Sequence, residues 1–308
     1  MRRVVIIYAM EEEFMPFVRD HGLAPVKPSP FSPGAPMVAY RGEVSNGAID
    51  AVAVWCGRDR RFRSNSVGTV AAGVACYAAV EAFGPDLVIS AGTAGGFGEL
   101  GARTGDVYLS TKCIFHARRI PENFGGNTYE EYGFGHFRSP PAITSLAARA
   151  SVKLGVVSTS DSLDCSPRDL QLLRSEGAVV KEMEAAAVAS VAQWLGVPFV
   201  ALKAVTDIVD GPESTAAEFY TNLAVASDAL RDRLTDLLGL IAAVPAFDGM
   251  GAMPEAAEPC PPGNTSNAQS PKPPRHAEPT SRWKFAAVCR VVAEFGLVAI
   301  LVASLQRR

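Results

Sequence analysis

Three acidic residues stand where apolar runs give way to helix-like segments: Glu13 in YAMEEEF, Glu184 in KEMEAAAVAS and Asp207 in KAVTDIVDG. Taken singly, each reads as an acid favoured by the positive end of a helix. Taken together they point to one cleft, because open α/β sheets bind ligands at the carboxyl ends of their strands. Glu13 and Glu184 follow the runs VVIIYA (4–9) and AVVK (178–181), and Asp207 ends the run VPFVALKAVTD (197–207). Several carboxylates in one cleft suit cleavage of a glycosidic bond, in which positive charge develops on a sugar ring and a proton must reach the leaving group.

Other chemistry-bearing patterns are weaker. GFGELG (96–101) matches GxGxxG, but GARTGDVYLST follows it and reads as a turn and a strand, whereas a dinucleotide site needs a helix there. The overlapping SAGTAGGFG (90–98), directly after DLVI, reads as a glycine loop whose backbone could approach a ligand closely, with a plain tight loop as the alternative. His116 and His136 have no ligand-spaced partners, and HExxH, GxSxG and Walker patterns are missing. Neither a metal nor a cofactor is expected.

The elements that would position these acids are legible as apolar runs alternating with helical patterns. AIDAVAVWC (48–56), DLVISAG (86–92), GDVYLST (105–111) and KLGVVST (153–159) join the runs above as candidate strands, and SVGTVAAGVACYAAVEAFG (66–84) is the clearest helix. Strands apolar on both sides and separated by helices suggest an α/β fold with a largely parallel, doubly covered sheet. The chain has 308 residues, 48% hydrophobic and 20% charged, enough for one large core. A net charge of -3 and no basic run with interleaved aromatics argue against a nucleic-acid partner. The six cysteines lack CxxC or CxxH spacing, and MRRVVIIYAMEEEF meets acids too early for a signal peptide, so a reducing, cytoplasmic compartment is expected.

Composition divides the chain. Residues 1–245 read as one domain, expected to carry the catalytic chemistry. Residues 246–282 read as a flexible linker, since nine of the 22 prolines lie between Pro245 and Ser281 with almost no large apolar residue. Residues 283–308 read as an apolar C-terminal helix. Trp283 to Leu305 approach the roughly 20 residues that a bilayer needs, yet Lys284, Arg290 and Glu294 crowd the first half. A membrane tail anchor, an interfacial or docked helix, and an extension without function stay open.

In order along the chain, AMEEEF, SVGTV, PDLVISAGTAGGF, GDVYLST, FHARRIP, STSDSLD, EMEAAAVA and KAVTDIVDG together resemble the nucleoside phosphorylase superfamily, and within it the plant-type 5′-methylthioadenosine/S-adenosylhomocysteine nucleosidases. The resemblance runs from about Val4 to Leu240. It implies a three-layer αβα sandwich with a mixed, mostly parallel central sheet, a homodimer, and hydrolysis of 5′-methylthioadenosine in methionine salvage. It further implies that Glu13 is the general base for water and that Asp207 is the acid protonating adenine N7, with Thr206 beside it. Glu184 would accept the ribose diol and Met183 pack on the sugar. Thr93 and Gly95 would lie near the attacking water, Leu163 would line the purine pocket, and Lys203 would contact substrate where bacterial relatives carry arginine. Ser160 stands where the family usually has glycine. A phosphorylase and a catalytically silent storage or binding relative are the alternatives. Glu13 in place of a phosphate cradle favours water, since a carboxylate repels phosphate, and the full set of acids argues against silence. Acceptance of S-adenosylhomocysteine depends on the 5′ pocket, which the resemblance places across the dimer.

Overall fold

In the computed structural model the described residues are 1–120, 127–213 and 215–244. The chain divides into two compact units, Met1–Ala256 and Ala257–Arg308, and every described residue belongs to the first. The expected linker (246–282) and apolar tail helix (283–308) lie outside the described residues.

The elements follow one another as β1 (Arg2–Tyr8), α1 (Glu11–Asp20), β2 (Ala24–Pro25), β3 (Val38–Val44), β4 (Ile49–Trp55), α2 (Thr69–Phe83), β5 (Leu87–Gly96) and β6 (Val107–Phe115). Then come α3 (Asn127–Phe134), β7 (Phe137–Arg138), α4 (Pro141–Thr144), β8 (Lys153–Thr159), α5 (Pro167–Ser175), β9 (Ala178–Glu182), α6 (Ala185–Trp194), β10 (Phe199–Ile208) and α7 (Thr215–Ala242). The sheet is mixed. Parallel pairings join β4, β1, β5 and β10 in turn, and also join β6, β8 and β9. Antiparallel pairings of β6 with β10 and of β9 with β5 then close β5, β10, β6, β8 and β9 into a ring. The carboxyl ends of β5, β9 and β10 therefore meet at one place.

The double covering follows from the two-residue period of a strand. In β1, Val5 and Ile7 face one core with Ala75, Cys76 and Ala79 of α2 and Ala185 and Val188 of α6. Val4, Ile6 and Tyr8 face the other, with Phe14 and Phe17 of α1 and Leu230, Leu234 and Leu238 of α7. Val4 through Ile7 are at most 2% exposed. Each contributes roughly 1.5–3 kcal/mol of burial, so the middle of the sheet is its anchor. These are the three layers of an αβα sandwich.

Two local readings change. The segment SAGTAGG is not a loop, because β5 runs through it to Gly96 and pairs residue by residue with β10. The stretch KEMEAAAVAS is not one helix start either: Lys181 and Glu182 end β9, Glu184 occupies the N-cap position, and α6 begins at Ala185. Residues Ala185 to Ala192 are all buried, and their small side chains let α6 pack between α2 and the sheet. GFGELG ends in a single 3-10 turn, Gly98–Leu100, ahead of β6 rather than in a helix.

Candidate active site

Glu13 lies in the first turn of α1, where β1 hands the chain to the helix, and is 4% exposed. Its Oε1 accepts hydrogen bonds from the Thr93 amide and hydroxyl, both at 2.7 Å, and its Oε2 accepts from the Met10 amide at 3.2 Å. Burial raises the pKa of this carboxyl, while Lys203 and these three donors pull it back down. The donors thus support an ionised base against the cost of desolvation.

Asp207 ends the regular part of β10 and is also buried. Its Oδ1 accepts from the Thr206 hydroxyl at 2.7 Å, whereas its Oδ2 is buried with no protein partner. Burial raises its pKa; Thr206 and Lys181 oppose the shift and Glu218 adds to it. A carboxyl with one free buried oxygen and a raised pKa is suited to carry a proton that it then donates.

Glu184 faces the start of α2. Its Oε1 accepts the Gly68 amide at 2.7 Å, so the carboxylate of one helix's N-cap residue occupies the N-terminus of another. Burial and the neighbouring Glu182 raise its pKa. Behind it, Glu182 accepts from the Glu184 and Ala185 amides at 2.8–3.0 Å, capping α6, and forms an ion pair with Lys203 at 2.8 Å.

These groups line one cavity of about 300 Å³, into which Glu13, Thr93, Gly95, Leu163, Met183, Glu184, Thr206 and Asp207 all project or border. The glycines of β5 follow from that crowding. A Cβ on Gly92 would come within 3.1–3.3 Å of the Glu13 carboxylate. A Cβ on Gly95 would meet Val209 at 2.6 Å and Asp207 Oδ2 at 2.9 Å. Close approach by Glu13 at Gly92, and by Val209 and Asp207 at Gly95, is what leaves no room for a side chain.

Residues 3–239 match the phosphorylase superfamily. A 5′-methylthioadenosine nucleosidase of Arabidopsis thaliana is 42% identical over 238 residues, covering 77% of this chain and 86% of that protein. A solved structure of the Arabidopsis thaliana enzyme in apo form superposes with a TM-score of 0.76 at 40% identity, covering 80% of this chain and 99% of that one. The chain belongs to the 5′-methylthioadenosine nucleosidases of this superfamily. A further nucleosidase structure, from Neisseria meningitidis in complex with methylthio-immucillin-A, gives a TM-score of 0.65 at 26% identity over 78% of this chain and 100% of that one.

Membership among the nucleosidases places the protein with the N-glycosidic hydrolases, and eight of the nine residues expected from the sequence border the cavity. Lys203 does not. It is 1% exposed and stands behind the cavity wall, paired with Glu182 and donating to Ser90 Oγ at 3.1 Å. The structure thus places it as a buried counter-ion to Glu182 and not on the cavity lining.

Sequence reasoning missed Glu182 and Lys181 on β9, and Phe219 and Tyr220 on α7, which also border the cavity. The two consecutive charges that close the otherwise apolar AVVKE strand could have flagged the first two. The pattern of α7, with Leu230, Leu234, Leu237, Leu238 and Ile241 buried, was equally readable. His116 is buried against Ser158 Oγ at 2.8 Å, and burial pushes its pKa down to about 4. His136 contacts Glu176 at 2.9 Å. Among the described residues no cluster of three or more His, Cys, Asp or Glu is placed to hold a metal ion.

Proposed function

We propose that this protein hydrolyses the N-glycosidic bond of 5′-methylthioadenosine, releasing adenine and methylthioribose. The observation that carries this reading is the unpartnered Oδ2 of Asp207, a buried carboxyl oxygen in the same cavity as Glu13, whose two oxygens are both engaged by donors. Protonated Asp207 donates to N7 of the purine as the C1′–N9 bond breaks, and the electron pair of that bond passes into the departing base. Water adds to C1′ and gives its proton to Glu13. Thr93 holds Glu13 in place, and Lys203 offsets the charge of Glu13, Glu182 and Glu184 from behind the wall. Glu184 accepts the ribose hydroxyls, a contact that strengthens as the sugar gains positive charge. Met183 and Leu163 line the same cavity, which supports packing of the first on the sugar and of the second on the base.

Water rather than phosphate is the acceptor, because ionised Glu13 repels an anion where it would have to enter. Phosphate-free assays with chromatography of the products test this. Free methylthioribose and adenine are the expected products from 5′-methylthioadenosine; strict dependence on phosphate with a sugar 1-phosphate product would sink the reading. S-adenosylhomocysteine in the same assay tests the second substrate.

The exposed positions Val70, Val74 and Tyr77 share one face of α2, and Trp194 at the end of α6 is also exposed. An apolar face of this kind supports a homodimer, which light scattering after gel filtration would check. The described cysteines Cys56, Cys76, Cys113 and Cys165 are unpaired, which supports a reducing cytoplasmic site of action, and the substrate supports a place in methionine salvage.

A further inference from the structure

The loop between β8 and α5 carries Leu163 to the cavity although it has no regular secondary structure of its own. It is fastened at three points. Ser160 Oγ lies 3.2 Å from the Ser162 amide, which donates to it, and 3.3 Å from the Ser162 carbonyl, closing a tight turn. The Asp161 carboxylate accepts the amide and hydroxyl of Thr69, both at 2.7 Å, at the start of α2. The Lys181 ammonium donates to the Leu163 carbonyl at 2.6 Å and to the Ser162 carbonyl at 3.3 Å.

Lys181 is the unusual member. It is 5% exposed, borders the cavity, and among the described residues makes no ion pair within 4.0 Å. A buried ammonium without a carboxylate partner is costly to keep. The groups that face it are Cys165 and Asp164 from the loop, Asp207 from β10, Glu182 from its own strand and His116 from the end of β6. Burial holds His116 neutral near pH 7, so it adds no competing charge. Two of the three ammonium hydrogens hold loop carbonyls, and the charge lies within reach of the catalytic acid.

We propose that Lys181 is a positioning residue for the departing base: it straps the Ser162 and Leu163 carbonyls over the purine end of the cavity and holds a positive charge beside Asp207. The proposal rests on the hydrolytic reading above for the role of Asp207. Its chemical content is that burial holds the proton on Asp207 while the ammonium, by favouring the carboxylate, opposes that hold and leaves the proton transferable to N7. Ser160 contributes by fixing the turn that presents the two carbonyls.

The test uses the full-length protein with Lys181→Gln, Lys181→Arg and Ser160→Gly, measuring adenine binding by calorimetry and the pH profile of kcat/KM. Glutamine at 181 should weaken adenine binding roughly ten- to a hundredfold, the scale of a lost charged hydrogen bond. It should also move the alkaline limb of the profile to higher pH, because Asp207 loses a neighbouring cation. Arginine at 181 should restore the limb toward its wild-type position. Unchanged adenine affinity and an unmoved alkaline limb in Lys181→Gln would overturn the proposal, as would a loss confined to kcat. Should Lys181→Gln fail to fold, Ser160→Gly decides: several-fold weaker adenine binding supports the strap, and unchanged binding overturns it. Wild-type protein that binds adenine without hydrolysing the nucleoside would sink the hydrolytic reading and with it the charge role beside Asp207, whereas active wild-type protein with unchanged readouts in Lys181→Gln overturns the Lys181 proposal alone.

Discussion

At one end of the cavity both oxygens of Glu13 are engaged, by the amide and hydroxyl of Thr93 and the amide of Met10; at the other, Asp207 has one oxygen bonded to Thr206 and the other with no donor. Burial pushes both pKa values up. What separates the two ends is therefore the number of donors, and with it the protonation state each end favours. Donors to a carboxylate stabilise the anion, so three of them suit a base, and a bare oxygen suits an acid. One fold thus runs a base and an acid in the same small cavity without needing one to be exposed.

Removing either carboxyl should break this arrangement most severely. Asp207→Asn keeps the shape and the Thr206 contact but has no transferable acidic proton. Glu13→Gln keeps the size but cannot take the proton of water. Each should lower turnover by about a hundredfold or more, the usual scale for a positioned acid or base, with the circular dichroism spectrum unchanged. Near-normal release of adenine from both variants would remove the roles assigned to the two ends.

Next in size is the cation behind the wall. Lys203 pairs with Glu182 where both side chains are sealed from water, and it lowers the pKa of Glu13. Lys203→Met leaves Glu182 as an unpaired buried charge, and the expected cost is about 3–5 kcal/mol of stability. The acid limb of the activity profile should also move to higher pH, since Glu13 loses its counter-ion. Chemical denaturation checks the first effect and the pH profile the second; a stable variant with an unmoved acid limb would show that Lys203 does not serve the base.

The difference between the two ends was only partly legible in the sequence. The three acids could be placed because each ends an apolar run, and the double covering of the sheet could be placed because residues such as Val4 to Ile7 leave no polar face. The ring of five strands could not, since it depends on the short pairing of Gly95 and Gly96 with Val180 and Lys181, and no local pattern announces so few residues of long-range contact. Lys203 was assigned to substrate for a related reason. A lysine in a strand tells nothing about which side of the wall its ammonium reaches, and only the partner, Glu182, settles that. The glycines of β5 read as a loop because glycine usually marks one; here Gly92 marks the close approach of Glu13 to the strand, and Gly95 that of Val209 and Asp207.

That approach gives a smaller, steric contrast between the ends. A methyl at position 95 would lie 2.6 Å from Val209 and 2.9 Å from Asp207 Oδ2, while one at position 92 would lie 3.1–3.3 Å from the Glu13 carboxylate. Gly95→Ala should cost about 1–3 kcal/mol as overpacking and displace the acid, and Gly92→Ala should cost less. Equal loss of stability and activity in the two variants would mean that the contacts at the acid end relax more readily than their distances imply.

The smallest and most discriminating test leaves both carboxyls in place and removes one hydroxyl donor from each. Thr93→Val takes one hydrogen bond from Glu13 Oε1 and leaves the amide bond intact; Thr206→Val takes the bond from Asp207 Oδ1. Losing a donor to the anion raises the pKa in both cases. The consequences for activity are opposite. The base works only when ionised, so raising the pKa of Glu13 moves the acid limb upward and narrows the active pH range. The acid works only when protonated, so raising the pKa of Asp207 moves the alkaline limb upward and widens the range. Near neutral pH the rate effects should be a few-fold, the size of one hydrogen bond to a charged group partly replaced by its surroundings. Profiles of kcat/KM for the two variants, measured with the same substrate, would separate them: movement of the same limb in both, or movement of either limb downward, would show that the donors do not set the two protonation states.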